Sequence, residues 1–547
     1  MFSVSPLFSN DCVLQRGKII TIFGEGSDDL EVQAVLKNKD GCITGKNRAF
    51  VRNGRWRLCL EEQRAMTGAT LVVSCKEGKR VFYNVAVGEV WLAGGQSNME
   101  FELGNSTEGP IELENETTPN VRFFYTKKNS WMDKKFYEDE RYNSWQVWGG
   151  ESAHTWSAVG YFFAKKLARD LGVTVGIIGC NKGGTSASCW LSQEALSEDT
   201  GLRSYLDEYE AAVGKKSEDE QIKEFDAYEK EQAAWDKKYA DLLKESPGAT
   251  WEQAEKQIGK NPWPGPMGIK NPYKPSALYE SMVARTAPYT IRGVLFYQGE
   301  SDAHKPTLYY RLFSKLIGCW RELWGDDTLP FVFVQLPMNR YEGDEDFRDW
   351  CLIREAQEKV AQTVRNTTLA SALDQGQYND IHPKTKKILG ERMEVSALDL
   401  VYRQIRKEEA VSPSLRSFFA EDDRITLTFD NAMEGFFFKK DEEELTHYIH
   451  LESLVGRQVP DSFSGFEIAG RDGVYYPATV EEVEGRTDRL VLTSDKVSVA
   501  VSARYAWYNY GPVTVFGKNG MPLLPFRTDK TEPEATNHAE IQQVMTV

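Results

Sequence analysis

Between residues 85 and 402, five short apolar runs alternate with five stretches of helical periodicity. The runs are Val85–Ala93, Val173–Gly179, Ile291–Tyr297, Phe331–Leu336 and Thr368–Leu373. The helical stretches are Val159–Leu171, Ser276–Ala287, Thr307–Leu323, Cys351–Val364 and Pro383–Tyr402. Alternation of strand and helix admits few arrangements. Successive strands joined by helices form right-handed crossovers, which predict an α/β fold with a parallel sheet covered by helices on both faces. In such sheets ligands bind beyond the carboxyl ends of the strands, so the residues after each run are the place to look for chemistry.

The flanks read differently. Residues 1–85 hold strand-like segments at Lys18–Phe23, Glu31–Lys37, Trp56–Leu60 and Thr70–Lys76, which suit a small β-sandwich. From about 406 to 528 strand patterns return, at Arg424–Thr428, Gly465–Ile468, Arg489–Thr493 and Val497–Val501, predicting a second β-region. The expected division is therefore 1–85, 86–405 and 406–528, with a polar tail over 529–547. A charged stretch over residues 201–260 reads as one or two surface helices inserted into the α/β unit. The Pro- and Gly-rich segment after it is loop, whose Trp263 and Tyr273 either contact a sugar or pack.

The chain of 547 residues has 66 basic and 82 acidic residues, a net charge of -16. That excludes a binder of phosphate backbones, which needs a basic surface, so no nucleic-acid partner is expected. No apolar run is long enough to span a bilayer, so no membrane insertion is expected. The opening MFSVSPLFSN has neither the basic nor the apolar part of a leader, which fits a cytoplasmic chain or one numbered without its leader. The 8 cysteines form no C-x-x-C pair and read as free, mostly buried thiols.

Three strand ends carry unusual residues. In VWLAGGQSNME, residues 90–100, a buried strand stops at Gly94-Gly95 and presents Gln96, Ser97 and Asn98. Glycines there allow the sharp turn that exposes a nucleophile, although Ser97 and Asn98 also suit an ordinary helix cap. In GIIGCNKGGTSASCW, residues 176–190, Gly183-Gly184-Thr185-Ser186 can turn backbone N–H groups toward a developing oxyanion. The spacing is not that of a phosphate loop. In GVLFYQGESDAH, residues 293–304, the strand delivers Gln298, whose amide can donate to an oxyanion, then Glu300 and Asp302.

A serine nucleophile needs a base, and the chain has 6 histidines. His538 lies in the tail, His447 and His450 lie in the C-terminal β-region with no third metal ligand, and His154 reads as structural. His304 follows the third motif on its helix. His382, in LDQGQYNDIHPKTK, follows the last apolar run directly and is the best placed, with Asp380 two residues earlier able to orient it. Nucleophile, oxyanion donors and base thus fall at strand ends of one sheet, as acyl transfer requires.

The blocks GGQSNME, GGTS, YQGESD and DIHP resemble those of the SGNH/GDSL hydrolases, in the carbohydrate esterase branch typified by sialate O-acetylesterases. SPLFSNDCVLQRGK, ARYAWYNYGP and LLPFRTD extend the resemblance to both ends of the chain. It implies a flavodoxin-like hydrolase domain, Ser97 as nucleophile, His382 as base, and an oxyanion hole made by the Ser97 N–H, Gly184 and Gln298. It implies no metal and no organic cofactor. The substrate it implies is an O-acetylated carbohydrate, first of all O-acetylated sialic acid, with acetylated xylan as the alternative. A non-catalytic carbohydrate-binding protein is the alternative of another class. The wider superfamily places its acid three residues before the histidine, where this chain has Asn379. Asp380, Asp374, Glu300 or a backbone carbonyl are the candidates to support His382. Gln96, Asn98, Glu300, Asp374 and Arg354 are the remaining candidates to bind or orient the substrate, and Arg354 or Lys384 the candidates to meet its negative charge.

Overall fold

The computed structural model describes residues 2–114, 120–149, 151–246, 251–341, 346–439 and 463–529. Seven strands form its central sheet: Gly78–Gly95 (β1), Val121–Tyr125 (β2), Gln146–Val147 (β3), Val175–Asn181 (β4), Gly293–Tyr297 (β5), Phe331–Gln335 (β6) and Thr367–Ser371 (β7). Their spatial order is β3-β2-β4-β1-β5-β6-β7, parallel throughout except for β3 at the edge. β4, β5, β6 and β7 are buried along their whole length, which is why their sequences read as unbroken apolar runs.

β1 explains the change of pattern near residue 85. Its first seven residues are exposed or half-buried and pair with Met66–Cys75, whereas its last eleven are buried. One continuous strand therefore enters both the N-terminal β-sheet and the α/β core, and the expected boundary at 85 falls inside it. Val13–Gln15 runs parallel to its middle, while Ser3–Val4, Ile20–Glu25 and Arg55–Leu60 form a separate three-stranded sheet.

One helical turn, Ser97–Glu100 (α1), follows β1. The crossover helices are Ala158–Leu171 (α2), Tyr309–Trp324 (α3) and Asp349–Thr363 (α4), and Lys387–Leu400 (α5) follows the last strand. Ser157 caps α2 by accepting the Gly160 N–H, and Gly172 ends it at φ 64°, so both ends are set locally. The expected helix over 276–287 is present over 277–286, with a π-turn at Tyr279–Val283 in its middle, and follows Ser276 at φ 65°. The expected start of the last helix at Pro383 is corrected to Lys387, which leaves His382 in a loop.

Within 201–260 the described residues include Arg203–Val213, Glu218–Glu245 and Trp251–Ile258. A capping box between Ser217 and Glu220 starts the 28-residue middle helix, which is mostly exposed. Among the described residues the C-terminal region builds two four-stranded sheets and one two-stranded sheet. The expected strand at Val497–Val501 is a turn instead, with Val497 and Ala500 buried as anchors, and pairing resumes at Ser502–Tyr505. Met338 and Leu373, just past β6 and β7, belong to the core of this region and join it to the central sheet. All eight cysteines are free thiols. His447, His450, His538 and nearly all of the expected tail lie outside the described residues.

Candidate active site

Strand register brings the first three motifs together. Gly95, the last residue of β1, lies opposite Asn181 at the end of β4 and Tyr297 at the end of β5. Gly95 has φ 136°, and a Cβ there would lie 2.0 Å from the Tyr297 carbonyl oxygen, so only glycine fits. The Gln96 N–H then donates to that carbonyl at 3.0 Å, and the chain turns into α1 with Ser97 half-exposed at its first position.

The fourth motif arrives from the far side of the sheet. Asn339–Arg340 and Gln377–Tyr378 pair in parallel and steer the segment after β7 toward α1. Asn379 takes a left-handed conformation at φ 59°. Asp380 Oδ1 accepts the His382 N–H at 2.8 Å, an Asx-turn that sets the loop. His382 Nε2 then lies 2.7 Å from Ser97 Oγ, although 285 residues separate them in sequence. Burial pushes the His382 imidazole down to about 4; Lys386 adds to this, and Asp380 and Glu100 oppose it. The ring is therefore neutral at pH 7 and able to accept a proton from Ser97.

This geometry corrects the expectation that Asp380 stands behind the ring. Its carboxylate engages the backbone of its own loop, and among the described residues no group accepts a hydrogen bond from His382 Nδ1. Asp374 is not there either: Arg392 holds it with two hydrogen bonds of 2.6 and 2.9 Å. Glu300 lies beneath the site rather than beside the ring. Its Oε1 accepts from Asn98 Nδ2 at 2.6 Å, and burial holds its carboxyl above the usual range.

Asn98, completely buried, ties three segments together. Besides Glu300, its Nδ2 donates to the Ile381 carbonyl at 2.9 Å, and its Oδ1 accepts from Lys386 Nζ at 2.5 Å. Lys386 is also fully buried, over the rings of Phe101 and Tyr297, and desolvation pushes it down to about 7. Asn98 thus fixes the His382 loop to the Ser97 turn. Lys386, four residues after His382, was within the quoted motif, but nothing in its spacing announced that it would be buried.

Gln298 is a second correction. Its Nε2 donates to Asp302 Oδ2 at 2.6 Å, Thr185 O at 3.2 Å and Gln96 Oε1 at 3.2 Å, while its Oε1 accepts from Tyr309. An amide has two hydrogens, and both are engaged inside the protein, the shortest contact being to a carboxylate. Asp302 is equally occupied, accepting from Ser186 Oγ, the Ala187 N–H and Tyr205. Gln96 Oε1 also accepts from the Ser301 N–H. Gln96, Gln298 and Asp302 brace the loops rather than face a substrate.

The Gly183-Gly184 loop covers the other side of Ser97. A Cβ on Gly183 would lie 3.3 Å from Ser97 Cβ, and the Gly183 N–H donates to Glu100 Oε2 at 2.5 Å. Gly184 has φ 72°, and a Cβ there would meet Trp263 at 2.9 Å and Tyr273 at 3.3 Å. The Gly184 N–H and the Ser97 N–H meet no acceptor among the described residues. Trp263 Nε1 donates to the Tyr273 hydroxyl at 2.7 Å, so these loop aromatics form one half-buried wall beside Gly184.

Arg354 is a third correction. It is completely buried and donates to the Pro337, Tyr508 and Asn509 carbonyls, joining the central sheet to the C-terminal region. Lys384 is exposed. His304 contacts the Ser301 carbonyl and His154 packs against Gly104; neither reaches Ser97. Among the described residues no group of three or more His, Cys, Asp or Glu could hold a metal ion, and no helix is long and apolar enough to cross a membrane.

The family model for carbohydrate esterases of the sialic acid-specific acetylesterase type matches residues 87–244 and 264–398, more than half of the chain. The mouse sialate O-acetylesterase is 23% identical over 472 residues, covering 81% of this chain and 78% of its own. The human sialate O-acetylesterase is 23% identical over 443 residues, covering 73% and 71%. Among solved structures, a carbohydrate acetylesterase from Xanthomonas citri superposes with a TM-score of 0.71 at 24% identity, covering 96% of this chain and 99% of its own. The chain is a carboxylic ester hydrolase that removes acetyl groups from sugars. It belongs to the sialic acid-specific acetylesterase family of carbohydrate esterases.

Proposed function

We propose that this enzyme removes O-acetyl groups from sialic acid with a Ser97–His382 dyad. The observation that carries the reading is the 2.7 Å contact between His382 Nε2 and the half-exposed Ser97 Oγ. His382 takes the Ser97 proton as Oγ attacks the acetyl carbonyl carbon. The Ser97 and Gly184 N–H groups, both without an acceptor among the described residues, receive the oxyanion. His382 returns its proton to the departing sugar oxygen, leaving acetyl-Ser97. Water, deprotonated by the same imidazole, then attacks the acetyl group and releases acetate. Asp380 acts on the imidazolium through space, as a nearby negative charge, rather than as a hydrogen-bonded acid.

The same proposal gives the α/β unit over residues 86–405 a flavodoxin-like SGNH architecture, with β-regions over 1–85 and 406–528 as scaffolds. With β2 and the edge strand β3 set aside, the five remaining strands lie in the order 2-1-3-4-5, and Ser97 follows the strand where the winding reverses. The substrate reading rests on the family and on relatives named for it.

The test is acetate release from O-acetylated sialic acid and from acetylated xylan, with Ser97→Ala beside the wild type. Release from the sialic acid that falls at least about 10⁴-fold in the variant supports both mechanism and substrate. Release from xylan alone overturns the substrate. Undiminished release by Ser97→Ala overturns the mechanism.

A further inference from the structure

O-Acetylated sialic acid carries a carboxylate, and this chain has a net charge of -16. An acidic enzyme that binds an anionic sugar needs a local cation at its site. Lys384, the cation expected from sequence, is on the surface, and Arg354 is enclosed by carbonyls. Lys386 is sealed behind Asn98.

Lys182 is placed differently. It follows the last residue of β4, and its N–H donates to the Gly95 carbonyl at 3.1 Å, so its backbone runs alongside the turn that carries Ser97. The next residue, Gly183, packs directly on Ser97. Lys182 is half-buried, and burial draws its ammonium below the usual lysine range, with Lys128 adding to this and Glu100 opposing it. Glu100 is the neighbouring carboxylate, but both its oxygens are taken: Oε1 by Lys128 Nζ at 2.5 Å and Oε2 by the Gly183 N–H. Lys166, Lys305 and Lys386, also wholly or partly buried, each donate to an acceptor, whereas no acceptor engages Lys182 Nζ among the described residues. Half-buried and not sealed from solvent, this ammonium keeps donor capacity for an incoming anion. Lys182, Lys128 and Glu100 together leave one positive charge at this corner.

We infer that Lys182 is the subsite that receives the carboxylate of the substrate. The inference rests on the sialic acid reading above. Carboxylate bound at Lys182 anchors the sugar while the acetyl group lies over Ser97 and Gly184, so the contact selects anionic sugars without entering the chemical steps.

The test compares kcat/KM on O-acetylated sialic acid with that on its methyl ester, in which the charge is removed, for wild type, Lys182→Gln and Lys182→Arg. The wild type is expected to favour the free acid. Lys182→Gln is expected to reduce the acid-to-methyl-ester ratio about 10- to 100-fold, the size of one charge-assisted hydrogen bond, chiefly through KM. Lys182→Arg is expected to retain most of the preference. Equal handling of acid and methyl ester by the wild type overturns the subsite without any variant, as does an unchanged ratio in Lys182→Gln. Hydrolysis of p-nitrophenyl acetate with none of either sialic acid ester instead overturns the substrate reading on which the subsite depends.

Discussion

Two polar clusters meet at the end of the same sheet, and they differ in how completely they are satisfied. Gln96, Gln298 and Asp302 form a closed cluster in which the Gln298 amide hydrogens and both Asp302 carboxylate oxygens have partners inside the protein. Ser97, His382 and Gly184 form an open one: Ser97 and His382 are half-exposed, and two backbone N–H groups have no acceptor among the described residues. Both hold residue types that suit catalysis. What separates them is spare hydrogen-bonding capacity, since a group already bonded inside the protein must give up that bond before it can serve a transition state.

The largest expected effect beyond Ser97→Ala comes from filling the open cluster. Gly184→Ala puts a methyl group against Trp263 at a left-handed backbone position. Its kcat is expected to fall by about 10²-fold or more, the cost of a displaced oxyanion donor; steady-state kinetics on any cleaved acetyl ester measures this. A variant with wild-type kcat removes Gly184 from the oxyanion hole.

Opening the closed cluster should act on folding instead. Gln298→Leu removes the shortest side-chain donor to the buried Asp302 carboxylate, while Ser186, the Ala187 N–H and Tyr205 remain, at an expected cost of about 1–3 kcal/mol in urea unfolding. Its kcat well below the unfolding transition should drop less than about 10-fold. A loss of about 10²- to 10³-fold in a folded variant would restore Gln298 as an oxyanion donor.

Asp380→Asn sharpens the comparison further. The amide oxygen can still accept the His382 N–H, so the loop is kept and only the charge is lost. The expected fall in kcat is under about 10-fold, against the roughly 10⁴-fold loss known for an acid bonded to the imidazole.

The smallest effect is on pH dependence. His382, pushed down to about 4, places the acid limb of kcat/KM near that pH rather than near 6.5. Lys386 is cationic there, since its own value lies near 7, and its charge disfavours the imidazolium. Lys386→Met removes that charge, so the His382 value rises and the limb moves up, by as much as about one unit. A limb that stays in place, or moves down, contradicts the electrostatic role of Lys386.

Much of the fold was legible in the chain itself. The five apolar runs all became strands of the central sheet, because a parallel strand buried on both faces needs no polar residue along its length. β2, of sequence VRFFY, was missed: Arg122 interrupts its apolar pattern, and the Arg122 guanidinium is accommodated by the Asp11 and Asn84 carbonyls, which only the folded chain brings near. β3 has two residues, too few for any periodicity.

The site divides in the same way. The residue types, their places after strands and the histidine count by themselves singled out Ser97, His382 and the Gly183-Gly184 loop, because glycines before a nucleophile and polar residues after a buried strand are local features. Tertiary structure alone decided the partners. It turned Asp380 to its own backbone, spent the Gln298 amide on Asp302, enclosed Arg354 among carbonyls and, among the described residues, left Lys182 without an acceptor. Each of these depends on which atoms lie within about 3 Å, and that is set by packing between segments far apart in the sequence.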